Sequence, residues 1–268
     1  MYKKIMIDYH IHTNLCGHAT GEMEQYVEKA IEIGLPEIGF SDHLPFVDFE
    51  RPGFAMSLSQ LPLYVQKVNL LREKYPNITI RLGIEVDYFP HLENEIAELL
   101  SQYPFDYVYG SVHFLEDWAF DSPYAFPQWN LADVDGVYQQ YIELVHQAAQ
   151  SGLFDIMAHC DLVKIHGFQL ARDMHSQWES LIKCFQQNGL ATEINTAGLR
   201  KPVGEIYPSE EILKLIKKYE IPIVFGSDAH RPLDVGRDFD QAMNLALKFE
   251  ITSIARFSGR KIIESYLI

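Results

Sequence analysis

The chain has 268 residues, 47% of them hydrophobic, which is enough for one domain with a substantial core. Its 22 Lys and Arg residues stand against 37 Asp and Glu residues, and the resulting net charge of −15 disfavours binding to nucleic-acid polymers. The three cysteines form no CxxC pair, and neither a signal-peptide pattern nor a membrane-length apolar run is visible. We therefore expect a cytoplasmic protein that does not bind membranes.

Short apolar segments rich in Ile, Val, Tyr and Phe predict seven strands, and a weaker eighth segment follows them. In chain order these segments are residues 4–9, 37–41, 78–86, 106–112, 154–158, 190–194 and 221–226, followed by 251–256. Apolar residues at helical spacing predict helices at residues 21–33, 131–150 and 209–219. Gly34 and Gly152 stand where the first two of these helices would end.

Strands and helices alternate along the chain, which is typical of a parallel sheet covered by helices. Seven or eight strand–helix units in 268 residues predict an α/β protein with a single domain spanning residues 1–268, built as a closed or nearly closed TIM-like barrel. A doubly wound open sheet is the alternative. The sequence contains no composition break or internal repeat that would indicate a second domain.

Each of the seven predicted strands delivers a His, Asp or Glu at or just beyond its carboxyl end. These residues are His10 and His12, His43, Glu85, His113, His159, Glu193, and Asp228 with His230. The carboxyl ends of barrel strands meet on one face, so we expect these side chains to lie together. Imidazoles and carboxylates in such numbers indicate a multinuclear metal site, and zinc, iron and manganese all suit these ligands.

Other histidines lie outside this pattern. His91 and His175 stand near predicted helix starts, and His146 lies within an amphipathic helix. We interpret these three as structural or solvated residues. His166, a few residues beyond His159, is left unassigned.

Six motifs together resemble the polymerase and histidinol phosphatase (PHP) superfamily. They are His10-Ile11-His12-Thr13, Ser41-Asp42-His43, Gly83-Ile84-Glu85, Gly110-Ser111-Val112-His113, Ala158-His159 and Ser227-Asp228-Ala229-His230. The stretches GSVHFLEDWAFD and EINTAGLRKPVGEIYPS look most like the free-standing histidinol-phosphate phosphatases of that superfamily. The resemblance implies a distorted (β/α)7 barrel with a trinuclear metal centre, and it extends over most of the chain.

Carried over from the superfamily, nine residues would bind three divalent ions, expected to be zinc, iron or manganese. The first ion would be held by His10, His12, Glu85 and Asp228, the second by Glu85, His113 and His159, and the third by His18, His43 and His230. Glu85 would therefore bridge the first two ions. Asp42 and Asp87 would either orient these ligands or serve as helix caps or surface carboxylates, and both interpretations stay open.

The resemblance also implies a phosphomonoesterase that hydrolyses L-histidinol phosphate to L-histidinol and phosphate in histidine biosynthesis. A hydroxide bridging two metal ions is expected to attack the phosphorus. Candidates for the proton donor to the leaving oxygen are Asp228, Asp161, His43 and His230, and the sequence does not choose between them.

Substrate contacts are predicted from residue type and position. Arg200 is the best-placed arginine for a bidentate phosphate contact, Lys164 or Lys201 would assist it, and His43 also faces the expected site. The substrate amine would need a carboxylate, which Glu116, Asp117 or Asp121 would supply after the fourth strand, and the aromatic residues Phe46, Phe114, Trp118 and Phe120 would enclose the imidazole.

Two other functions stay open. A PHP-type phosphoesterase with this site would act instead on another small ester, such as a nucleotide or a sugar phosphate, or on a phosphotyrosine protein. A metal-stabilised binding module without catalytic activity is the second alternative. The sequence gives no sign of the oligomeric state.

Overall fold

The structure is a computed structural model and describes residues 6–268, so the first two residues of the first predicted strand lie outside the described part. The strands are β1 (Ile7–Asp8), β2 (Glu37–Phe40), β3 (Thr79–Asp87), β4 (Tyr107–Ser111), β5 (Phe114–Leu115), β6 (Trp118–Ala119), β7 (Ile156–Met157), β8 (Ala191–Asn195), β9 (Ile223–Gly226), β10 (Ser253–Ser258) and β11 (Lys261–Leu267). The helices are α1 (Met23–Ile33), α2 (Leu61–Lys74), α3 (Glu93–Ser101), α4 (Phe126–Trp129), α5 (Val134–Gln150), α6 (His175–Gln187), α7 (Glu210–Lys218) and α8 (Phe239–Lys248).

Seven of these strands form one parallel sheet in the order β1-β2-β3-β4-β7-β8-β9. Backbone hydrogen bonds join its two edges: the Tyr9 N–H donates to the Phe225 carbonyl at 3.0 Å, and the His12 N–H donates to the Ala229 carbonyl at 3.0 Å. These bonds bring β1 beside β9 and curl the sheet into a nearly closed barrel of seven strands. The predicted (β/α)7 barrel is confirmed, and the doubly wound alternative is wrong.

The barrel interior beneath the carboxyl ends is filled by tyrosines. The Tyr107 hydroxyl donates to the Tyr9 carbonyl at 2.7 Å, and the two rings stack with their centroids 4.8 Å apart. Gly39 and Gly83 make room for Tyr107, because a Cβ at either position would overlap its ring or hydroxyl. The barrel is therefore solid below the predicted site, and ligands can reach that site only from the carboxyl ends of the strands.

The segment 251–256, predicted as a weaker eighth strand, does not belong to the barrel sheet. Its residues contribute to β10, which pairs antiparallel with β11 and joins no strand of the barrel sheet. Arg256 of this hairpin contacts Glu37 at 2.6 Å, and Arg260 at the turn contacts Asp155 at 2.9 Å. Because both carboxylates lie at the amino ends of barrel strands, these ion pairs hold the hairpin against that end of the barrel.

The three helices predicted most clearly are present, with shifted starts. Helix α5 begins at Val134, and Leu131 before it is 90% exposed, because an isolated apolar residue there has no core to contact. Ser209 caps α7 by accepting from the Ile212 N–H at 3.5 Å. Helix α5 is the longest with 17 residues, and no helix within residues 6–268 has the length and apolar character needed to cross a membrane.

Candidate metal centre

A buried carboxylate, Glu85 near the end of β3, lies at the centre of the predicted site. It is 1% exposed, and neither of its oxygens has a hydrogen-bond partner among the described residues. Five imidazole nitrogens surround it: those of His10, His12 and His43 lie 3.3, 3.4 and 3.4 Å from Oε2, and those of His159 and His113 lie 3.2 and 3.8 Å from Oε1. A buried carboxylate without hydrogen-bond partners is costly, so this arrangement favours bound cations.

The distances within the first predicted ligand set fit a metal ion. His10 Nε2 and His12 Nε2 are 3.1 Å apart, and Asp228 Oδ1 lies 3.9 and 3.2 Å from these two atoms. Tetrahedral ligands at zinc–ligand distances of about 2.0–2.2 Å stand about 3.3–3.6 Å from one another. These three side chains and Glu85 Oε2 therefore surround a point that a divalent cation would fill.

Backbone geometry explains how distant segments supply these ligands. His10 and His12 alternate along an extended segment, so both rings project to the same side. Asp228 adopts a left-handed conformation with φ of 53°, which is uncommon for residues other than glycine. Such conformations concentrate at functional sites, where the surrounding structure holds them.

The second and third predicted sets lie beside the first. His159 and His113 face the other oxygen of Glu85, as the second set requires. His18 Nε2 and His230 Nε2 are 3.0 Å apart. One ligand atom each from His12, His43 and His230 also lies within 4.8 Å of the other two, so His12 stands between the first and third predicted sets.

Glu193 on β8 orients two of these histidines, a role that the sequence did not reveal. Its carboxylate lies 3.0 Å from His10 Nδ1 and accepts from the His159 backbone N–H at 2.8 Å. A Cβ at Gly226 would overlap Glu193, so the glycine on neighbouring β9 makes this approach possible. The available sequence signal was an acidic residue within an otherwise apolar strand. A carboxylate on the outer nitrogen fixes the ring and strengthens its metal affinity.

Asp42 and Asp87 also contact predicted ligands. Asp87 Oδ1 lies 2.9 Å from His113 Nδ1, and Asp42 Oδ1 lies 3.5 Å from His12 Nδ1. Asp42 further accepts from the Thr13 hydroxyl. The structure therefore favours their interpretation as residues that orient ligands rather than as helix caps or surface carboxylates.

The surrounding charges change the protonation of the cluster. Burial acts to raise the pKa of Glu85, but the charges of His10 and His43 hold it well below its usual value. Burial acts to lower the pKa of His12, but hydrogen bonds to Asp228 and Asp42 outweigh it and raise the pKa to about 9. A bound cation would replace these imidazolium charges as the partner of the carboxylates, so metal binding would release protons from the histidines.

An open cleft of about 810 Å³ leads to this cluster. Arg200, predicted to contact phosphate, lines the cleft, and its guanidinium donates to the Ser227 carbonyl at 2.6 Å, which places it next to Asp228. Lys201 and Arg231 line it as well. Arg231 was not anticipated, although it directly follows His230 in the sequence.

The structure does not bring Asp161 and Lys164 to the cleft. Their side chains form an ion pair at 3.0 Å, Lys164 also donates to the Ile206 carbonyl at 2.9 Å, and Asp161 accepts from the Ser209 N–H at 2.8 Å. The chain leaves the barrel after β7 and turns into a short 3-10 helix, Leu162–Lys164, which carries both side chains away from the ligands. We therefore do not retain their predicted roles in catalysis and substrate binding.

Glu116 is also absent from the residues that line the cleft. It is exposed at the turn between β5 and β6, with φ of 55°, and lines a separate cavity together with Asp117. Asp121, further along the same segment, does line the cleft. Of the aromatic residues predicted to enclose the imidazole, Phe114 lines the cleft, whereas Phe46, Trp118 and Phe120 do not.

Comparison with known proteins identifies the family. Residues 8–197 match the PHP domain family and residues 209–239 match the PHP-associated family, so the chain belongs to the PHP family. A curated relative from Deinococcus radiodurans, named "Probable histidinol-phosphatase", is 39% identical over 239 residues, which are 89% of this chain and 91% of the relative. Histidinol-phosphatase of Bacillus subtilis is 31% identical over 261 residues, covering 87% of this chain and 96% of that protein.

One solved structure shows the same fold over nearly the whole chain. Histidinol phosphate phosphatase from Lactococcus lactis, crystallised with zinc, L-histidinol and phosphate, has a TM-score of 0.82 to this protein at 24% sequence identity. The similarity covers 97% of this chain and 99% of that chain. The two proteins therefore share the same fold.

Proposed function

We propose that this protein is a metal-dependent histidinol-phosphatase, which hydrolyses L-histidinol phosphate to L-histidinol and phosphate in histidine biosynthesis. The observation that carries the proposal is the buried Glu85 carboxylate. It has no hydrogen-bond partner among the described residues, and five imidazoles surround it at the base of an open cleft. Two relatives that match most of the chain at 39% and 31% identity are named for this activity.

Three divalent ions are the proposed cofactors, and zinc, iron and manganese are the candidates. The nine residues predicted from the resemblance would hold them: His10, His12, His18, His43, Glu85, His113, His159, Asp228 and His230. The fit is supported by buried ligand atoms without hydrogen-bond partners, namely Nδ1 of His43 and both oxygens of Glu85. The Lactococcus lactis phosphatase of the same fold binds zinc. Bound ions would neutralise phosphate charge and make hydroxide available at neutral pH.

The chain's own residues would bind and orient the ester. Arg200 lines the cleft, and the planar fork of donors of its guanidinium would suit two phosphate oxygens. Asp228, His43 and His230 line the cleft and remain the candidates for protonating the leaving oxygen, with His43 also a candidate for substrate contact. We further propose a cytoplasmic location, because all three cysteines are free and buried.

Phosphate release by the purified, metal-loaded protein tests this function. L-histidinol phosphate is compared with a nucleotide, a sugar phosphate and a phosphotyrosine peptide, and metal content is measured on the same sample. We expect L-histidinol phosphate to have the highest kcat/KM and two to three metal ions to be bound per chain. If another ester had the highest kcat/KM, the protein would still be a phosphomonoesterase, but the proposed substrate would be wrong. Full metal occupancy without turnover of any ester would indicate a binding module.

A further inference from the structure

The carboxylates that line the cleft differ in what they already contact. Glu85 and Asp228 belong to the predicted ligand sets, and Asp87 is held by His113 at 2.9 Å. Asp234 is held by two arginines, Arg231 at 2.6 Å and Arg237 at 2.7 Å. Asp121 alone among the cleft carboxylates makes no hydrogen bond or ion pair with any side chain or backbone group of residues 6–268. A free carboxylate in a cleft is suited to bind a cation supplied by a ligand.

The surroundings of Asp121 strengthen its need for a counter-ion. The side chain is half-buried beside the apolar Phe114 and Pro123, which line the same cleft. Burial raises the pKa of Asp121, while the charges of His113 and Lys201 act to lower it. A carboxylate that has lost part of its hydration gains more from an ion pair than one in open water does.

Asp121 shares the cleft with the phosphate-binding candidates. The charged groups that act on it are His113, after β4, and Asp87, at the end of β3, together with Lys201 and His159, after β8 and β7. None of these four groups forms an ion pair with Asp121 within residues 6–268. Arg200 and Arg231, which follow β8 and β9, line the same cleft. The cleft thus offers a small ligand both positively charged side chains and a carboxylate without an ion-pair partner.

We propose that Asp121 binds the ammonium group of the substrate and makes the cleft selective for phosphate esters of amino alcohols. This inference rests on the proposed function and deepens it. An ammonium would donate a charge-assisted hydrogen bond to the carboxylate, while the phosphate of the same small molecule contacts the basic side chains that line the cleft. A sugar phosphate or a nucleotide monophosphate offers no ammonium to this carboxylate and therefore binds less well.

The test uses the metal-loaded enzyme and two esters that differ only in the amine. These are L-histidinol phosphate and 3-(imidazol-4-yl)propyl phosphate, which lacks the ammonium group. We expect Asp121→Asn to raise KM for L-histidinol phosphate by about 10- to 100-fold, the range for loss of a charged hydrogen bond, with kcat little changed. The ester without the amine should keep its KM. Asp240→Asn, at an exposed carboxylate in the first turn of α8, is the matched control and should leave both esters unchanged.

A second readout separates binding from turnover. Calorimetric titration of the metal-loaded protein with L-histidinol should show the same loss of affinity in Asp121→Asn. Unchanged L-histidinol affinity in this variant would overturn the proposal, and so would an equal fall in kcat for both esters, since that would assign Asp121 to proton transfer. If the wild-type enzyme released no phosphate from either ester, the proposed function would fail, while the L-histidinol titration would still decide the role of Asp121.

Discussion

The two ends of the barrel carry similar buried acids with opposite surroundings. At the amino ends of the strands, Glu37 contacts Arg256 and Arg81 at 2.6 and 2.7 Å, and Asp155 contacts Arg260 at 2.9 Å. At the carboxyl ends, Glu85 has no hydrogen-bond partner among the described residues. Complete pairing indicates a role in stability, whereas a buried acid that lacks a partner indicates a place for a ligand. Substitutions at each end can therefore test this difference.

The largest effect is expected for Glu85→Ala. This change removes a ligand from two predicted ions and leaves the imidazoles without their central negative charge. We expect kcat/KM to fall by about 10³-fold or more, because a bound metal ion contributes several kcal/mol to phosphoryl transfer. Elemental analysis should show less metal per chain.

His91→Ala is the control for Glu85→Ala. His91 is exposed and lines the separate cavity. Its removal should change neither metal content nor activity. If His91→Ala abolished activity and Glu85→Ala did not, the site would be placed wrongly.

Glu193→Gln should have the next largest effect. The amide keeps the shape of the side chain but loses the charge that orients His10 through its Nδ1. Metal affinity should fall by about 10- to 100-fold, measured by competition with a chelator, and activity should recover when excess metal is added. Glu116→Gln, on the exposed turn, is the matched control and should behave as wild type. Activity that stayed low at saturating metal would contradict a purely orienting role.

Asp161→Asn tests a carboxylate that follows β7 at the carboxyl end of the barrel. Like Glu37 and Asp155 at the amino end, Asp161 forms an ion pair. The change removes the buried one of the two carboxylates that contact Lys164, and only the exposed Glu205, at 3.2 Å, remains as its ionised partner. We expect the free energy of unfolding to fall by about 2–3 kcal/mol in denaturant titrations, with kcat of the folded enzyme little altered. A folded variant with no activity would restore the catalytic role predicted from the sequence.

Arg260→Ala should have the smallest effect, confined to stability. It removes the partner of Asp155, but Arg260 is 37% exposed, and water partly screens this pair. The free energy of unfolding should fall by about 1–2 kcal/mol, while metal content and kcat should stay unchanged. Arg172→Ala, which removes a 79% exposed partner of Asp135, provides the comparison and should cost less. A loss of metal in Arg260→Ala would show that the two ends are coupled.

The sequence predicted the barrel and the candidate ligands because both depend on local features. Apolar segments marked the strands, and residues such as His10 and Asp228 follow them within two positions. What escaped prediction depends on contacts between distant segments. The contact of Glu193 with His10 requires Gly226 on the neighbouring strand, and the eighth predicted strand pairs with β11 instead of the barrel.

The position of Glu116 also depends on the fold rather than on residue type. It lies on the β5–β6 hairpin, where φ of 55° belongs to a turn that the residue types alone did not indicate. Five residues later, Asp121 lines the cleft. The sequence offered both carboxylates as candidates to bind an amine, and only the folded turn shows that Asp121 alone of the two faces the cleft.

The backbone hydrogen bonds that bring β1 beside β9 affect when the site can form during translation. His10 and His12 emerge early from the ribosome, whereas Asp228 and His230 emerge only after most of the chain has been translated. Pairing between such distant segments is slow to form, so the nascent chain holds its first histidines without their last partners. The proposed metal ions could therefore be fully bound only after β9 has been made, and a chain terminated before β9 would lack Asp228 and His230.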